Sequence, residues 1–141
     1  MDVLLLVLGL LALLVAGVVA AGLARGVVLR RRHRRRVAGY APDHVDRAAL
    51  LGVASDGRTP LRGVGSLVAG ADHLAFVALV AGRDVEVPRG AVTSARVTRT
   101  FMGHTAGTDL LVVTWELQGL GDAAAFRVPD PATWAARLAP A

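Results

Sequence analysis

The longest uninterrupted apolar stretch constrains this chain more than any other feature. The 21 residues from Val3 to Leu23 are all valine, leucine, alanine or glycine. A helix that rises ~1.5 Å per residue would make them roughly 30 Å long, which matches the hydrocarbon core of a bilayer. Because hydrocarbon offers no water to backbone polar groups, a helix is the form in which such a stretch can cross. The sequence therefore predicts a transmembrane anchor over residues 1–24.

A cluster of arginines follows this stretch, and no arginine precedes it. Its six members are Arg30, Arg31, Arg32, Arg34, Arg35 and Arg36. By the positive-inside rule, the N-terminus lies outside and the rest of the chain faces the cytoplasm, as in a single-pass protein of the cell membrane. We interpret residues 25–46 as a juxtamembrane linker whose arginines fix topology and lie against anionic headgroups.

Two alternatives concern the apolar stretch itself. A cleaved signal peptide would have its small-residue site at Val19-Ala20-Ala21, but the run lacks a preceding positive charge and exceeds the usual ~7–15 residues. Small-residue pairs such as Ala12 with Ala16 and Gly17 with Ala21 would permit a homodimer through the span. The abundance of alanine and glycine in the whole chain explains these pairs equally well.

Charge is divided unevenly between the two parts of the chain. Residues 1–40 contain seven arginines and one aspartate, a net charge of +6, whereas residues 41–141 contain nine arginines and ten acids, a net charge of −1. A nucleic-acid-binding domain usually has its own basic face, so nucleic acid is not an expected partner. The chain has no cysteine, which excludes disulfides, thiolate catalysis and cysteine-based zinc sites.

Residues 47–141 are predicted to form one small, mainly β domain. Short alternating segments separated by glycine and aspartate predict strands. These cover Arg62–Val68, Leu74–Val80, Asp84–Val87, Val92–Phe101 with Ala95 and Val97 inward, Leu110–Leu117, and Ala123–Val128. The segment 47–54 could be a first strand or a short helix, and 103–107 is predicted to be a loop. Gly63 and Gly65 indicate a bulge or a close backbone approach.

A short helix is predicted at the end of the domain. Asp130 suits the cap position and Pro131 the first helical position. Trp134 and Leu138 are four residues apart and would pack together on the sheet. Antiparallel strands followed by one terminal helix predict a pleckstrin-homology-like (PH-like) barrel or split barrel.

Four segments carry a resemblance to a known family. They are VPRGAVTSARV at 87–97, GTDLLVVTWELQG at 107–119, AFRVPDPATWAARL at 125–138 and, more loosely, RGVGSLVAGADHLAF at 62–76. In them the soluble part resembles a family of small actinobacterial membrane proteins with one N-terminal span and a PH-like domain. Genes of that family commonly lie among those for pyrimidine biosynthesis, which implies a functional neighbourhood but no activity and no site residues.

No arrangement of residues predicts an enzyme, a cofactor site or a metal site. His33 lies inside the arginine cluster and is expected to be solvated. Asp84 and Glu86 share a strand face, with no acid predicted opposite them. Arg96, Arg99 and His104 would form the only ligand patch that we can suggest, near a loop mouth of the barrel. Nearby acids favour the simpler interpretation that these arginines are solvated.

The expected function is therefore that of a non-enzymatic binding or scaffold module held at the inner face of the membrane, with a protein partner of unknown identity. One alternative is a domain that senses anionic lipid through Arg96, Arg99 and His104. Another alternative is an accessory subunit of a transport or export system, which depends on the span alone.

Overall fold

The computed structural model describes residues 2–57, 63–80 and 83–140. It begins with α1 (Asp2–Ala38), a single helix of 37 residues that continues from the apolar stretch through the whole arginine cluster. The apolar part of α1 is exposed, and an 18-residue window reaches a mean hydropathy of 3.1. The helix is thus long and apolar enough to cross a membrane. It ends just before Gly39.

Seven antiparallel strands and a short helix follow α1. They are β1 (His44–Val53), β2 (Gly63–Ala69), β3 (His73–Ala78), β4 (Val85–Pro88), β5 (Val92–Phe101), β6 (His104–Leu117), β7 (Leu120–Arg127) and α2 (Pro131–Leu138). The strands form one sheet in the order β4-β3-β2-β1-β7-β6-β5. The first and last strands of the domain, β1 and β7, are therefore neighbours in its middle.

The sheet is open, which differs from a closed barrel. In the part of the chain that the structure describes, β4 and β5 are the two edge strands and are not paired with each other. An antiparallel sheet with a C-terminal helix is thus confirmed, whereas closure is not. Residues 47–53 belong to β1 and only Ala54 lies past its end, at the start of a 3₁₀ turn, so the helical alternative for the segment 47–54 was wrong.

The predicted loop at 103–107 was also wrong. Met102 and Gly103 alone connect β5 to β6, with φ values of 50° and 78°. Positive φ at both central residues is the geometry of a tight hairpin turn. His104 consequently lies in β6, where it pairs with Phe101.

One hydrophobic core joins all seven strands to α2 on the face of the sheet that we call the inner face. Its largest fully buried side chains include those of Trp134, Phe76 and Phe126. The α2 helix begins as predicted: the Asp130 carboxylate accepts a hydrogen bond from the Thr133 amide at 3.1 Å. Trp134 and Leu138 both pack into the core, which confirms the predicted inward face of this helix.

The opposite, outer face of the sheet carries smaller apolar clusters. Leu110, Val112 and Ala125 are buried there, with Phe101 from the end of β5 packed against them. Both faces of β6 are therefore partly covered, although its alternating sequence predicts one apolar and one polar face. Val97, predicted inward, lies on the edge strand β5 and is 40 % exposed.

Candidate functional site

The C-terminal end of α1 packs on the outer face of the sheet. His33 Nε2 lies 2.8 Å from the Ser66 hydroxyl of β2, and its Nδ1 lies 3.3 Å from the carbonyl oxygen of Ala78 at the end of β3. In the neutral tautomer protonated at Nδ1, the imidazole donates to the carbonyl and accepts from the hydroxyl. His33 is thus half-buried and hydrogen-bonded, and the expectation that it is merely solvated was wrong.

Two further side chains extend this contact toward β4. Arg36 forms an ion pair with Asp84 and donates to the Ala78 carbonyl at 3.2 Å. The other Asp84 oxygen accepts from the Ala78 amide at 2.8 Å. The Tyr40 hydroxyl donates to Glu86 at 3.2 Å. Asp84 and Glu86 therefore do share a face. Arg36 pairs with Asp84, and the Tyr40 phenol pairs with Glu86, which also lies 3.7 Å from His73 Nε2.

An apolar contact lies beneath these polar ones. Val37 and the Tyr40 ring pack against Val68, Ala75 and Val77 of β2 and β3. Burial, followed by the hydrogen bond that the hydroxyl donates to Glu86, raises the pKa of the Tyr40 hydroxyl above its usual value. We call this whole contact the helix–sheet junction. It comprises His33, Arg36, Val37 and Tyr40 on one side, and Ser66, Val68, Ala75, Val77, Ala78, Asp84 and Glu86 on the other.

The six clustered arginines therefore differ in their surroundings. Arg36 belongs to the helix–sheet junction, where a carboxylate neutralises it. Arg30, Arg31 and Arg34 line a shallow groove on the exposed surface of α1 together with Val27. Arg32 and Arg35 are exposed. The two ends of the cluster thus have different environments, although the sequence presents them as one run.

The suggested ligand patch lies along the β5–β6 hairpin. Arg96 and Arg99 are exposed on β5, and His104 is exposed at the start of β6. Arg99 Nε donates to Asp109 at 2.9 Å, and this hydrogen bond and charge raise the pKa of the Arg99 guanidinium. Asp109 thus already supplies Arg99 with an anionic partner.

A second polar cluster connects β1 to α2. The Trp134 indole donates to the Asp46 carboxylate at 2.8 Å, and His44 Nε2 lies 3.1 Å from the same oxygen. The His44 and Trp134 rings are also in contact, with centroids 4.8 Å apart. This network anchors the buried tryptophan and gives α2 a fixed position on the sheet.

Within residues 2–57, 63–80 and 83–140, no three histidine, cysteine, aspartate or glutamate side chains are grouped so that they could hold a metal ion. Comparisons with known proteins found no matching family model, no matching curated protein and no matching solved structure.

The helix–sheet junction is the feature that reading the sequence missed, although a signal for it exists. Arg36 lies in the last turn of α1 and Tyr40 lies two residues past its end, while Asp84 comes just before β4 and Glu86 lies within it. A basic and a phenolic residue at the end of the helix thus match two acids at the start of β4. The match becomes visible only if α1 is extended past the arginine cluster.

Proposed function

We propose that this chain is a non-enzymatic, PH-like binding module that holds a partner protein at the inner face of the cell membrane. The helix α1 is its anchor, with the N-terminus outside and the domain in the cytoplasm. The seven antiparallel strands and the terminal helix α2 support the PH-like assignment. The arginines that follow the apolar stretch support the orientation.

The helix–sheet junction is the observation that carries this proposal. A domain that is only tethered to a membrane needs no more than a flexible linker between anchor and sheet. Here the helix that contains the apolar stretch also packs on β2 and β3 through ion-pair, hydrogen-bond and apolar contacts. Such contacts fix the orientation of the sheet relative to the anchor, which serves a module that must present one surface toward the cytoplasm.

The edge strand β5 is the surface that we assign to the partner. It is ten residues long, whereas the opposite edge strand β4 has four. The sheet order also puts β5 farther than β4 from β2 and β3, where α1 packs. An extended peptide that adds to such an edge gains backbone hydrogen bonds along its length. The length and position of β5 therefore favour it for strand addition.

Photocrosslinking in cells tests this assignment. Benzoylphenylalanine replaces Val97 on β5 of the full-length protein, and in a matched control it replaces exposed Arg127 on β7, which has a strand on each side. We expect a discrete protein adduct from position 97 and none from position 127. No adduct from position 97, or the same adducts from both positions, would contradict the proposal.

The identity of the crosslinked protein tests a narrower point. Genes of the family that the chain resembles commonly lie among those for pyrimidine biosynthesis, so the experiment asks whether the partner is one of those enzymes. Mass spectrometry of the adduct would detect such an enzyme directly. A partner from another process would remove the link to pyrimidine synthesis but leave the scaffold function intact.

Lipid sensing through Arg96, Arg99 and His104 is the weaker proposal, because Asp109 neutralises Arg99. Its test is the double substitution Arg96→Gln and Arg99→Gln in the full chain, reconstituted with or without anionic lipid. Lipid sensing predicts that anionic lipid changes protease protection of the hairpin in the parent only. The scaffold function predicts the same protection in both proteins.

A further inference from the structure

The contacts of the helix–sheet junction define the direction in which α1 leaves the sheet. Tyr40 lies beside Glu86, which pairs with Ala75 in the middle of β3, whereas His33 contacts Ala78 at the end of β3. From Tyr40 back to Arg36 and His33, which both contact the Ala78 carbonyl, the chain therefore passes from the middle of β3 to its end. It follows that the apolar part of α1 continues beyond the connection between β3 and β4.

The end of the sheet over which α1 leaves, which we call the exit end, also contains the β6–β7 turn. Antiparallel pairing places the end of β1 and the start of β7 at the same end of the sheet as the end of β3. Polar contacts join these segments: Arg83 pairs with Asp56 at 2.8 Å, and the Ser55 hydroxyl donates to Asp122 at 2.7 Å. Leu120 is two residues before Asp122.

The exit end exposes large apolar side chains. Leu120 is 76 % exposed, Val80 is 61 % exposed and Leu117 is 41 % exposed. Leu117 and Leu120 face each other across the tight turn at Gln118 and Gly119. Apolar side chains at the tip of a hairpin gain free energy when they leave water for an apolar phase. An apolar phase within reach of this end would therefore stabilise it.

The length of α1 indicates how close a bilayer would be to the exit end. His33 is ten residues after Leu23, so it lies about 15 Å beyond the end of the apolar stretch. Val80 lies two residues past Ala78, in the bend that follows β3 and on the side toward which α1 continues. A boundary about 15 Å from His33 puts the headgroup layer, roughly 5–8 Å thick, close to this bend.

We propose that the exit end enters the interfacial layer of the membrane, where Leu120, Leu117 and Val80 contact phospholipid. The ligand is the bilayer surface itself, and the site is a second membrane attachment besides the span. This inference rests on the proposed anchoring by α1. Contact with the membrane would account for the two exposed leucines of the β6–β7 turn.

Depth-dependent quenching tests the inference on the full-length protein. Because the chain has no cysteine, a single substitution gives a unique site for an environment-sensitive fluorophore. The test position is Leu120→Cys, and the control is Thr105→Cys, which is exposed near the opposite end of the sheet. A third variant, Val15→Cys, reports on the span. All three are reconstituted in vesicles of phosphatidylcholine and phosphatidylglycerol with spin-labelled lipids.

The inference predicts a blue shift and a loss of fluorescence at position 120 with a quencher near the headgroups, and no loss at position 105. Position 15 should be quenched best by a label deep in the acyl chain. Quenching at 15 but not at 120, or equal quenching at 105 and 120, would overturn the inference and leave the anchor intact. No quenching at 15 would overturn the anchoring itself.

Discussion

Among single residues, Trp134 has the largest fully buried side chain of the core. Its side chain is fully buried, and its indole supplies a hydrogen bond to a carboxylate of β1. We expect Trp134→Ala to destabilise the domain by about 3–5 kcal/mol, since it leaves a large cavity. Trp134→Phe keeps most of the volume but removes the indole hydrogen bond to Asp46, at a cost of about 1–3 kcal/mol.

Denaturant unfolding followed by circular dichroism in a mild detergent measures both variants. The two substitutions differ in what they remove, so their difference separates packing from hydrogen bonding. Equal destabilisation by alanine and phenylalanine would mean that the Asp46 hydrogen bond dominates and that the packing of the ring contributes little.

Asp130 gives the domain a predictable response to acid. The Thr133 hydroxyl and amide donate to its carboxylate, and they lower the pKa of this carboxyl below its ordinary value. A carboxyl whose pKa is lowered in the folded state stabilises the fold above its unfolded pKa. That contribution is lost as the pH falls through the folded-state pKa.

The matched variant for this response is Asp130→Asn, which still caps a helix but does not titrate in this range. We expect the parent to have the higher melting temperature near neutral pH, and the difference to close as the solution is acidified below the ordinary aspartate pKa. Thermal melts over a pH series measure this. A difference that grows on acidification would show that the assigned sign is wrong.

At the scale of the strands, Gly65 permits the close approach of β2 to β3. A Cβ atom at this position would overlap the Val77 carbonyl oxygen of the paired strand. The Cβ atom is attached directly to the β2 backbone and the oxygen belongs to the β3 backbone. Since both backbones are held in one ladder, neither atom can move away cheaply. We therefore expect Gly65→Ala to lower the melting temperature severely or to prevent folding.

Gly107 on β6 is the matched control, because a Cβ atom there would meet nothing within 4 Å and its φ is not positive. Gly107→Ala should leave the melting temperature nearly unchanged or raise it slightly, since alanine loses less backbone entropy on folding. Similar losses in the two variants would rule out steric overlap as the cause.

Local sequence patterns predicted most of the helices and strands but few of the contacts between them. The alternation in β6 and the cap at Asp130 are signals contained in a few adjacent residues. The turn at Met102 was missed because positive φ at methionine has no signature in the sequence. Outer-face burial at Val112 arises because Phe101 packs over it, and a hairpin must first form before that contact exists.

The candidate site was harder to predict for the same reason. Each contact of the helix–sheet junction joins residues more than thirty positions apart in the sequence. Arg36 could not be distinguished within the arginine cluster, because an ion-paired arginine and an exposed one look the same in a sequence. Its partner Asp84 was noticed, but no pattern within the strand could indicate a helix opposite it.

For the whole molecule, we expect the helix–sheet junction to hold α1 in one orientation relative to the sheet. Spin labels at Leu29→Cys on α1 and Arg127→Cys on β7 would report the distance between α1 and the sheet in the reconstituted protein. We expect a narrow distribution in the parent. Arg36→Gln should broaden it, because this substitution removes the ion pair with Asp84 and leaves that carboxylate without its cation.

Arg35→Gln is the control, since it removes the same charge from an exposed neighbour on the same helix. It should leave the distribution narrow. If both variants broaden it equally, the net charge of the cluster, and not the contact with Asp84, holds the sheet in place.

The pairing of β1 with β7 has a consequence for how the protein is made. With α1 in the bilayer, as we propose, the anchor is already inserted while the ribosome is still synthesising the sheet. The meander from β1 to β4 can pair as it emerges, because its partners are consecutive in the chain. The edge of β1 that pairs with β7 must nevertheless remain unpaired until Arg127, the last residue of β7, has been synthesised. Newly made chains would thus wait beside the membrane with an unpaired strand, at the stage when aggregation with neighbours is most dangerous.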